Sequence, residues 1–384
     1  MRKGDHGTII AVDLLRFACA LLVLGYHFGV AYWTAPSPHG ETIMAGAPWH
    51  FGGTPLARVG WIGVELFLVV SGLVIARSAL DLRWTQFLWK RTLRLVPAAW
   101  ICATITLAVL AASGRFGLPM LIDEWWRSIR FWPDGTQIDA CYWTLGIETS
   151  FYLLMAFAVG HCGHARRIEA IAMGLGAASG AFWLWWLWAG ASPNLPLRNT
   201  TMMLSLLPHG CFFAIGVVIA GLARDGLTWR RGAALALLMP VVAIELTAHA
   251  TERVEAIHVA PSVPLAGLIF LCGIALLIAA PRLQPLLARW IAPGVARTIG
   301  LMTYPLYLLH QDVGAVLLTA SARAGVPPRL AAGLSAATIM TTAWLIALWL
   351  EPALRGLLVA APERLSRFRA PGRDILPSAS PPVG

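Results

Sequence analysis

Charged residues are scarce in this chain. Asp, Glu, Lys and Arg make up 12% of its 384 residues, about half of the roughly 25% that is usual in soluble domains. Hydrophobic residues reach 58% and are spread along the whole length. The lack of charge, together with long apolar runs, excludes an ordinary soluble domain and indicates an integral membrane protein whose partner is the lipid bilayer.

The cysteines, the polar segments and the basic residues exclude three further classes of function. The six cysteines form no CxxC pair, so neither a disulfide framework nor a zinc-finger site is indicated, and no metal ion is predicted. No stretch is long and polar enough for a separate soluble catalytic domain, so any chemistry takes place in or at the membrane. The net charge of +10 does not indicate nucleic-acid binding, because the basic residues lie in short loops between apolar runs.

The sequence does contain ten apolar runs, each of about 20 residues, the length that crosses a bilayer as a helix. They predict an all-α polytopic membrane protein with about ten transmembrane helices. The seventh run is the weakest candidate for a transmembrane helix, because Glu245 lies inside it. The predicted spans are 8–31, 56–77, 95–113, 141–160, 169–190, 201–223, 231–248, 261–280, 298–320 and 330–353.

The distribution of basic residues predicts the orientation of these spans. With the N-terminus in the cytoplasm, 20 of the 29 Lys and Arg residues fall in cytoplasmic segments and 8 in outer segments. Cytoplasmic loops of membrane proteins carry such an excess, so both termini are predicted to be cytoplasmic. Residues 1–360 form one predicted transmembrane domain, and residues 361–384, which are rich in Arg, Pro and Ser, a flexible cytoplasmic tail.

The first span carries two ionisable residues, Arg16 and His27. An ionisable group at the centre of a bilayer costs about 2.5–3.5 kcal/mol and therefore needs an explanation. On a helix the two residues are offset by only about 20° and lie about 16 Å apart along the axis, so they share a face. Two interpretations remain open: a functional pair, or a structural arrangement in which Asp13 pairs with Arg16 and His27 donates to a carbonyl.

Other spans carry polar residues at matching depths. Glu65, Glu148 and His310 project to the same outer-middle layer as His27, and Thr144, Glu148 and Tyr152 form a stripe with i,i+4 spacing. Beneath this layer lies a basic group made of Arg16, Lys90, Arg91 and Arg94, in which Arg91 and Arg94 share a helix face at i,i+3. The positive-inside rule explains much of that group; the functional interpretation is a phosphate-binding clamp for an anionic donor.

Five motifs occur in order along the chain: Arg-x10-His at 16–27, Gly-Val-Glu-Leu-Phe…Ser-Gly at 63–72, Phe-Leu-Trp-Lys-Arg…Arg…Pro at 87–97, Trp-Thr-Leu-Gly-Ile-Glu…Phe-Tyr at 143–152 and Tyr-Leu-Leu-His at 307–310. With these motifs, nearly the whole chain resembles the integral-membrane acyltransferase-3 family of bacteria. It departs from the family pattern in having Glu65 where Asp is common and Thr144 where Ser is common.

The resemblance implies about ten helices in the bacterial inner membrane and O-acylation, usually O-acetylation, of a cell-envelope or exported polysaccharide or glycolipid. It implies cytoplasmic acyl-CoA, normally acetyl-CoA, as the donor. Some relatives acylate small molecules such as macrolides, which remains an alternative acceptor class.

On this hypothesis the basic group binds the acyl-CoA phosphates, and His27 either deprotonates the acceptor hydroxyl or carries the acyl group briefly. Glu148, and with less support Glu65, orient the imidazole or bind hydroxyls. His310 is either a second acid/base or a structural donor. A transporter of lipid-linked sugars or organic anions accounts for intramembrane charges equally well, and a structural scaffold is a third possibility.

Overall fold

The computed structural model describes residues 9–34, 38–45, 47, 53–79, 82–132, 134–162, 165–190, 197, 199–258 and 260–368. Within these ranges the chain is helical and has no β-strand, which confirms the predicted all-α fold. The first half contains α1 (Ile10–Tyr26), a π-helical turn (His27–Ala31), α2 (Tyr32–Thr34), α3 (Pro38–Met44), α4 (Pro55–Arg58), α5 (Ile62–Ala79), α6 (Trp84–Ala112), α7 (Leu118–Ile129), a 3-10 turn (Ala140–Tyr142), α8 (Trp143–Cys162) and α9 (Ala165–Ala189).

The second half is built in the same way from long helices joined by short connections. It contains α10 (Thr200–Leu204), α11 (Gly210–Asp225), α12 (Trp229–Ile257), α13 (Val263–Trp290), α14 (Pro293–Leu309), α15 (Asp312–Arg323), α16 (Pro328–Leu345), a second π-helical turn (Ile346–Leu350) and α17 (Glu351–Phe368). Of the predicted C-terminal tail, residues up to Phe368 continue α17, and the remainder lies outside the described residues.

Eight helices in the described part of the chain are long and apolar enough to cross a membrane by length and composition. They correspond to eight of the ten predicted spans, and the chain is a multi-pass membrane protein. The other two predicted spans are also helical, but each is interrupted by a break. The sixth coincides with α11, whose 16 residues reach about 24 Å, and the ninth is divided into α14 and α15 at His310 and Gln311.

The outer surface carries large apolar side chains, as expected where lipid replaces water as the surrounding medium. Leu153 and Phe157 on α8 are each 58% exposed, and Leu268 on α13 is also 58% exposed. α11 is the opposite case, because its first 12 residues, from Gly210 to Gly221, are all buried. This part of the helix is enclosed by other helices, including α5, α9 and α12.

Glycines allow α11 and α5 to pack backbone against backbone at the centre of the bundle. A Cβ atom added to Gly216 would lie 2.0 Å from the carbonyl oxygen of Val69, and one added to Gly72 would lie 2.3 Å from that of Phe213. On the same helix α5, Gly63 contacts the backbone of Cys19 in α1. Small residues permit such close helix contacts in membranes. These contacts fix α5 between α1 and α11, and α5 carries one wall of the site described next.

Candidate active site

A cavity lies between α1, α5, α6, α8 and α14, and it encloses about 870 Å³ of space including its open mouth. Its apolar walls are interrupted by three arginines, one carboxylate and several hydroxyl groups. These polar lining residues are Arg16, Ser71, Arg91, Arg94, Thr144, Glu148, Tyr152, Thr303, Tyr304 and Tyr307. Most of the basic group and the whole predicted stripe on α8 therefore face one space.

Arg16 faces this cavity without a partner of its own. Within the described part of the chain its guanidinium forms no hydrogen bond or ion pair, and the charged groups that act on it include Arg94, Asp13 and Glu148. Two guanidinium groups directed at one enclosed space repel each other unless an anion lies between them. Guanidinium groups are well suited to bind phosphate, so this end of the cavity is suited to an anionic group.

Arg91 and Arg94, which share a face of α6 as predicted, are held by neighbouring side chains. Arg91 donates to the Ser78 hydroxyl, and its guanidinium lies 5.8 Å from the centre of the Tyr152 ring. Arg94 donates to Glu351 Oε1 at 3.3 Å and lies 5.9 Å from the centre of the Tyr304 ring. These contacts orient both guanidinium groups before any ligand binds.

Glu148 lies in the wall of the cavity as a hydrogen-bond acceptor. The Tyr152 hydroxyl donates to Glu148 Oε1 at 2.6 Å, and the Ser71 hydroxyl donates to the same oxygen at 3.4 Å. The carboxylate therefore connects α8 with α5. The i,i+4 spacing that defined the stripe in the sequence is the reason that Glu148 and Tyr152 meet.

Four candidate residues do not line the cavity: Lys90 and Glu65 lie apart from it, and His27 and His310 lie beside it. Lys90 is exposed on the surface of α6. Glu65 is buried, but its side chain faces α12, where its Oε1 lies 3.4 Å from His249 Nε2. Its neighbour Val64 does line the cavity, so the two residues occupy different faces of α5.

His27 and His310 form a pair beside the cavity. Their ring centres are 4.7 Å apart, with planes at 76°. His310 Nδ1 lies 2.6 Å from the Tyr307 carbonyl oxygen. A carbonyl only accepts hydrogen bonds, so Nδ1 carries the proton and Nε2 of the neutral ring is left as an acceptor. In the described residues, His27 makes no hydrogen bond or ion pair with Glu65 or Glu148.

His27 and His310 each lie where the regular α-helical backbone is interrupted, and these interruptions position their imidazole rings. His27 opens the π-helical turn that follows α1, a feature that often marks functional sites in helices. His310 occupies the break between α14 and α15, and the Tyr32 hydroxyl lies within hydrogen-bond distance of the His310 and Gln311 carbonyl oxygens, 2.5 Å from the latter. The Tyr307 ring lines the cavity and lies 5.4 Å from the His310 ring. The histidine pair therefore borders the cavity through Tyr307.

A family model described as an acyltransferase domain matches residues 9–349. The chain belongs to the acyltransferase-3 family. This match confirms the resemblance found in the sequence, and it includes every candidate residue named above. No curated protein and no solved structure matches the chain. Family membership establishes a membrane acyltransferase in general terms.

Near the histidine pair, a second polar group connects α3, α7 and α15 of this acyltransferase. His39 Nδ1 lies 2.9 Å from Asp312 Oδ2, and His39 Nε2 lies 2.9 Å from Glu124 Oε2. Burial opposes the charged imidazolium, but the hydrogen bonds to Asp312 and Glu124 outweigh it and raise the pKa of His39 to about 10. Burial, and next the charge of Asp312, raise the pKa of Asp139 to about 7.

Sequence reasoning missed several residues of this acyltransferase. Glu351 lies near the end of one predicted span and Asp312 inside another, so the sequence marks both as ionisable residues within apolar runs. His39 and Glu124 lie in connections between predicted spans, where no spacing rule relates them. Only the folded chain brings them to Asp312.

Proposed function

We propose that this acyltransferase transfers an acetyl or other short acyl group from acyl-CoA to a hydroxyl of a cell-envelope or exported polysaccharide or glycolipid. One observation carries the proposal: a single cavity has an arginine group in its wall and a histidine pair at its border. Acyl-CoA has the matching layout, because its phosphates and its thioester lie at opposite ends of a long flexible arm.

In this proposal Arg16, Arg91 and Arg94 bind the phosphates of the donor. Hydrogen bonds between guanidinium and phosphate are charge-assisted and become stronger where water is excluded. Lys90, which is exposed outside the cavity, attracts the donor over a longer range. That attraction is screened by salt, whereas the three arginines act within the enclosed space.

At the histidine pair, the acceptor hydroxyl attacks the thioester carbonyl carbon. Its proton passes to an imidazole nitrogen, a new C–O bond forms, the C–S bond breaks, and the CoA thiolate leaves and takes up a proton. His27 performs this step as a general base, or its imidazole nitrogen first takes the acyl group and the hydroxyl attacks that intermediate. The free Nε2 of His310 fits a second acid/base role. Glu148 positions Tyr152 and Ser71, and Glu65 acts on the site through α5.

A transporter of lipid-linked sugars or organic anions is the competing function. Membranes containing the protein, incubated with acetyl-CoA that is radiolabelled in the acetyl group, distinguish the two. An acyltransferase moves label into the glycan or lipid fraction and releases free CoA, whereas a transporter leaves the thioester intact. Mass spectrometry of envelope glycans from cells with and without the gene then identifies the acceptor. Intact thioester in the presence of that acceptor would refute the proposal.

A further inference from the structure

A second cluster of ionisable side chains lies on the side of α5 that faces α12. It joins Glu65 of α5 to Glu245 and His249 of α12 and to His209, the residue before α11. All four are buried, and none is more than 5% exposed. One donor atom from each of His209, Glu245 and His249 lies within 4.8 Å of the other two. His209, Glu245 and His249 have no role in the proposed acyl transfer.

The distances between donor atoms match those of a coordinated metal ion. His209 Nδ1 lies 2.9 Å from Glu245 Oε1, and His249 Nε2 lies 3.8 Å from the same oxygen and 3.4 Å from Glu65 Oε1. Ligands bound tetrahedrally to zinc at about 2.0–2.1 Å stand roughly 3.3 Å from one another. The three measured separations fall on both sides of that value, and the donors come from three different elements.

Hydrogen bonding within the protein satisfies this cluster only in part, since His209 Nδ1 and Glu245 Oε1 lie within hydrogen-bond distance of each other at 2.9 Å. Both ring nitrogens of His249 and Oε2 of Glu65 are buried without a hydrogen-bond partner among the described residues. The His249 ring is held in place by stacking on Trp61, with ring centres 5.4 Å apart and planes at 27°. Unpartnered polar atoms are costly in a helix that is apolar and long enough to cross a membrane, so the arrangement indicates a ligand.

The charge of the cluster points to a cation. Two carboxylates and two imidazoles can supply two negative charges, and the nearby Arg253 is already paired with Glu252 at 2.7 Å. A divalent ion would neutralise both carboxylates. The Cys211 thiol donates to Glu245 Oε2 at 3.0 Å, which leaves Oε1 directed at the two histidines.

We propose that Glu65, His209, Glu245 and His249 bind one divalent transition-metal ion, for which zinc is the best match to two imidazole and two carboxylate ligands. The ion joins α5, the start of α11 and α12. It lies behind the cavity wall formed by α5, and Glu65 is the one ligand that also has a role in the proposed acyl transfer. The prediction of no metal rested on the cysteine pattern, which includes none of these four residues.

Metal content measures this proposal directly. The full chain, purified without a polyhistidine tag, is loaded with zinc chloride, desalted and analysed by mass spectrometry for metals. We expect about one zinc ion per chain in the wild-type protein and in His258→Gln, which alters an exposed histidine at the end of α12. We expect loss of zinc in His249→Gln and Glu245→Gln. Wild-type protein that retains no zinc, or variants that retain as much as wild type, would overturn the proposal.

A spectroscopic measurement on the unaltered protein guards against variants that fail to fold. X-ray absorption of the zinc-loaded wild type should show only nitrogen and oxygen ligands at about 2.0–2.1 Å, with the scattering pattern of imidazole. A sulfur shell at about 2.3 Å would place the metal at cysteine and refute the assignment. Zinc should also raise the thermal unfolding midpoint of the wild type and of His258→Gln, because an ion that binds only the folded state stabilises it.

Discussion

At the residue scale, the two arginines of α6 offer a direct test of the donor site. Arg91→Ala and Arg94→Ala should each weaken acetyl-CoA binding about 10- to 100-fold, because a hydrogen bond to a charged group contributes roughly 1.5–3 kcal/mol. Calorimetry on the purified protein measures the dissociation constant. Arg230→Ala removes an exposed arginine outside the cavity and should leave it unchanged. If Arg91→Ala, Arg94→Ala and Arg230→Ala all bind acetyl-CoA as tightly as the wild type does, the proposed arginine site is refuted.

His27 and His310 carry the chemical step in this account. His27→Ala should lower the rate of acyl transfer by roughly 10²- to 10⁴-fold, the usual contribution of a general base, while donor affinity stays near the wild-type value. His310→Ala should lower the rate of acyl transfer less than His27→Ala does if the His310 ring only supports His27. It should lower the rate by as much if His310 exchanges a proton with the substrate. Initial rates with labelled acetyl-CoA provide the measurement. Full transfer by His27→Ala, in protein that elutes as wild type on gel filtration, contradicts the assignment.

At the element scale, the contact between α5 and α11 depends on glycine. Gly216→Ala should destabilise the protein by about 1–3 kcal/mol, because the new methyl group meets the backbone of α5 and the helices have to separate. Gly267→Ala on α13 is the matched control, since an added Cβ there meets no atom within 4 Å and alanine favours helix. Thermal unfolding in detergent compares the two. Equal midpoints would show that the close packing is not required.

The link between α3, α7 and α15 should depend on pH. The pKa of His39 is raised in the folded protein to about 10, so its contribution to stability is complete below the unfolded value of about 6.5 and is lost as pH rises towards 10. From pH 7.5, above the pKa of Asp139 of about 7, to pH 10, the unfolding midpoint of wild type should fall more steeply than that of His39→Gln.

Exposed histidine serves as the control for this pH dependence. His258→Gln should follow the wild-type curve, because His258 is exposed at the end of α12. Parallel curves for wild type and His39→Gln would mean that His39 does not contribute charge to the folded state in this range.

Across the whole molecule, the sequence predicted relations within one helix but not contacts between helices. The 3.6-residue repeat of a helix was sufficient to put Thr144, Glu148 and Tyr152 on one stripe and Arg91 beside Arg94, because these relations are local. The position of Glu65 was not predictable, since depth in the membrane does not determine which neighbour a side chain faces. The cluster of His209, Glu245 and His249 depends on the packing of α11 and α12, which no local rule specifies.

The layout of the molecule also bears on its orientation. The arginine group of the cavity lies towards the end of the bundle that holds the N-terminus of α1, and His27 lies towards the other end. If acyl-CoA is the donor, as proposed, the N-terminus predicted to be cytoplasmic from the basic residues would give it direct access to the arginines. In the proposed reaction the acceptor would then reach the histidine pair from the outer side.

We propose that one cavity holds the donor phosphates at the arginines and delivers the thioester to the histidine pair. An electron cryo-microscopy structure with a non-transferable acetyl-CoA analogue measures both distances at once. We predict phosphate oxygens within hydrogen-bond distance of Arg16, Arg91 and Arg94, and the acyl carbonyl carbon about 3–3.5 Å from a nucleophile position beside His27 or His310. An analogue bound outside this cavity, or with its acyl group remote from both imidazoles, would contradict the account.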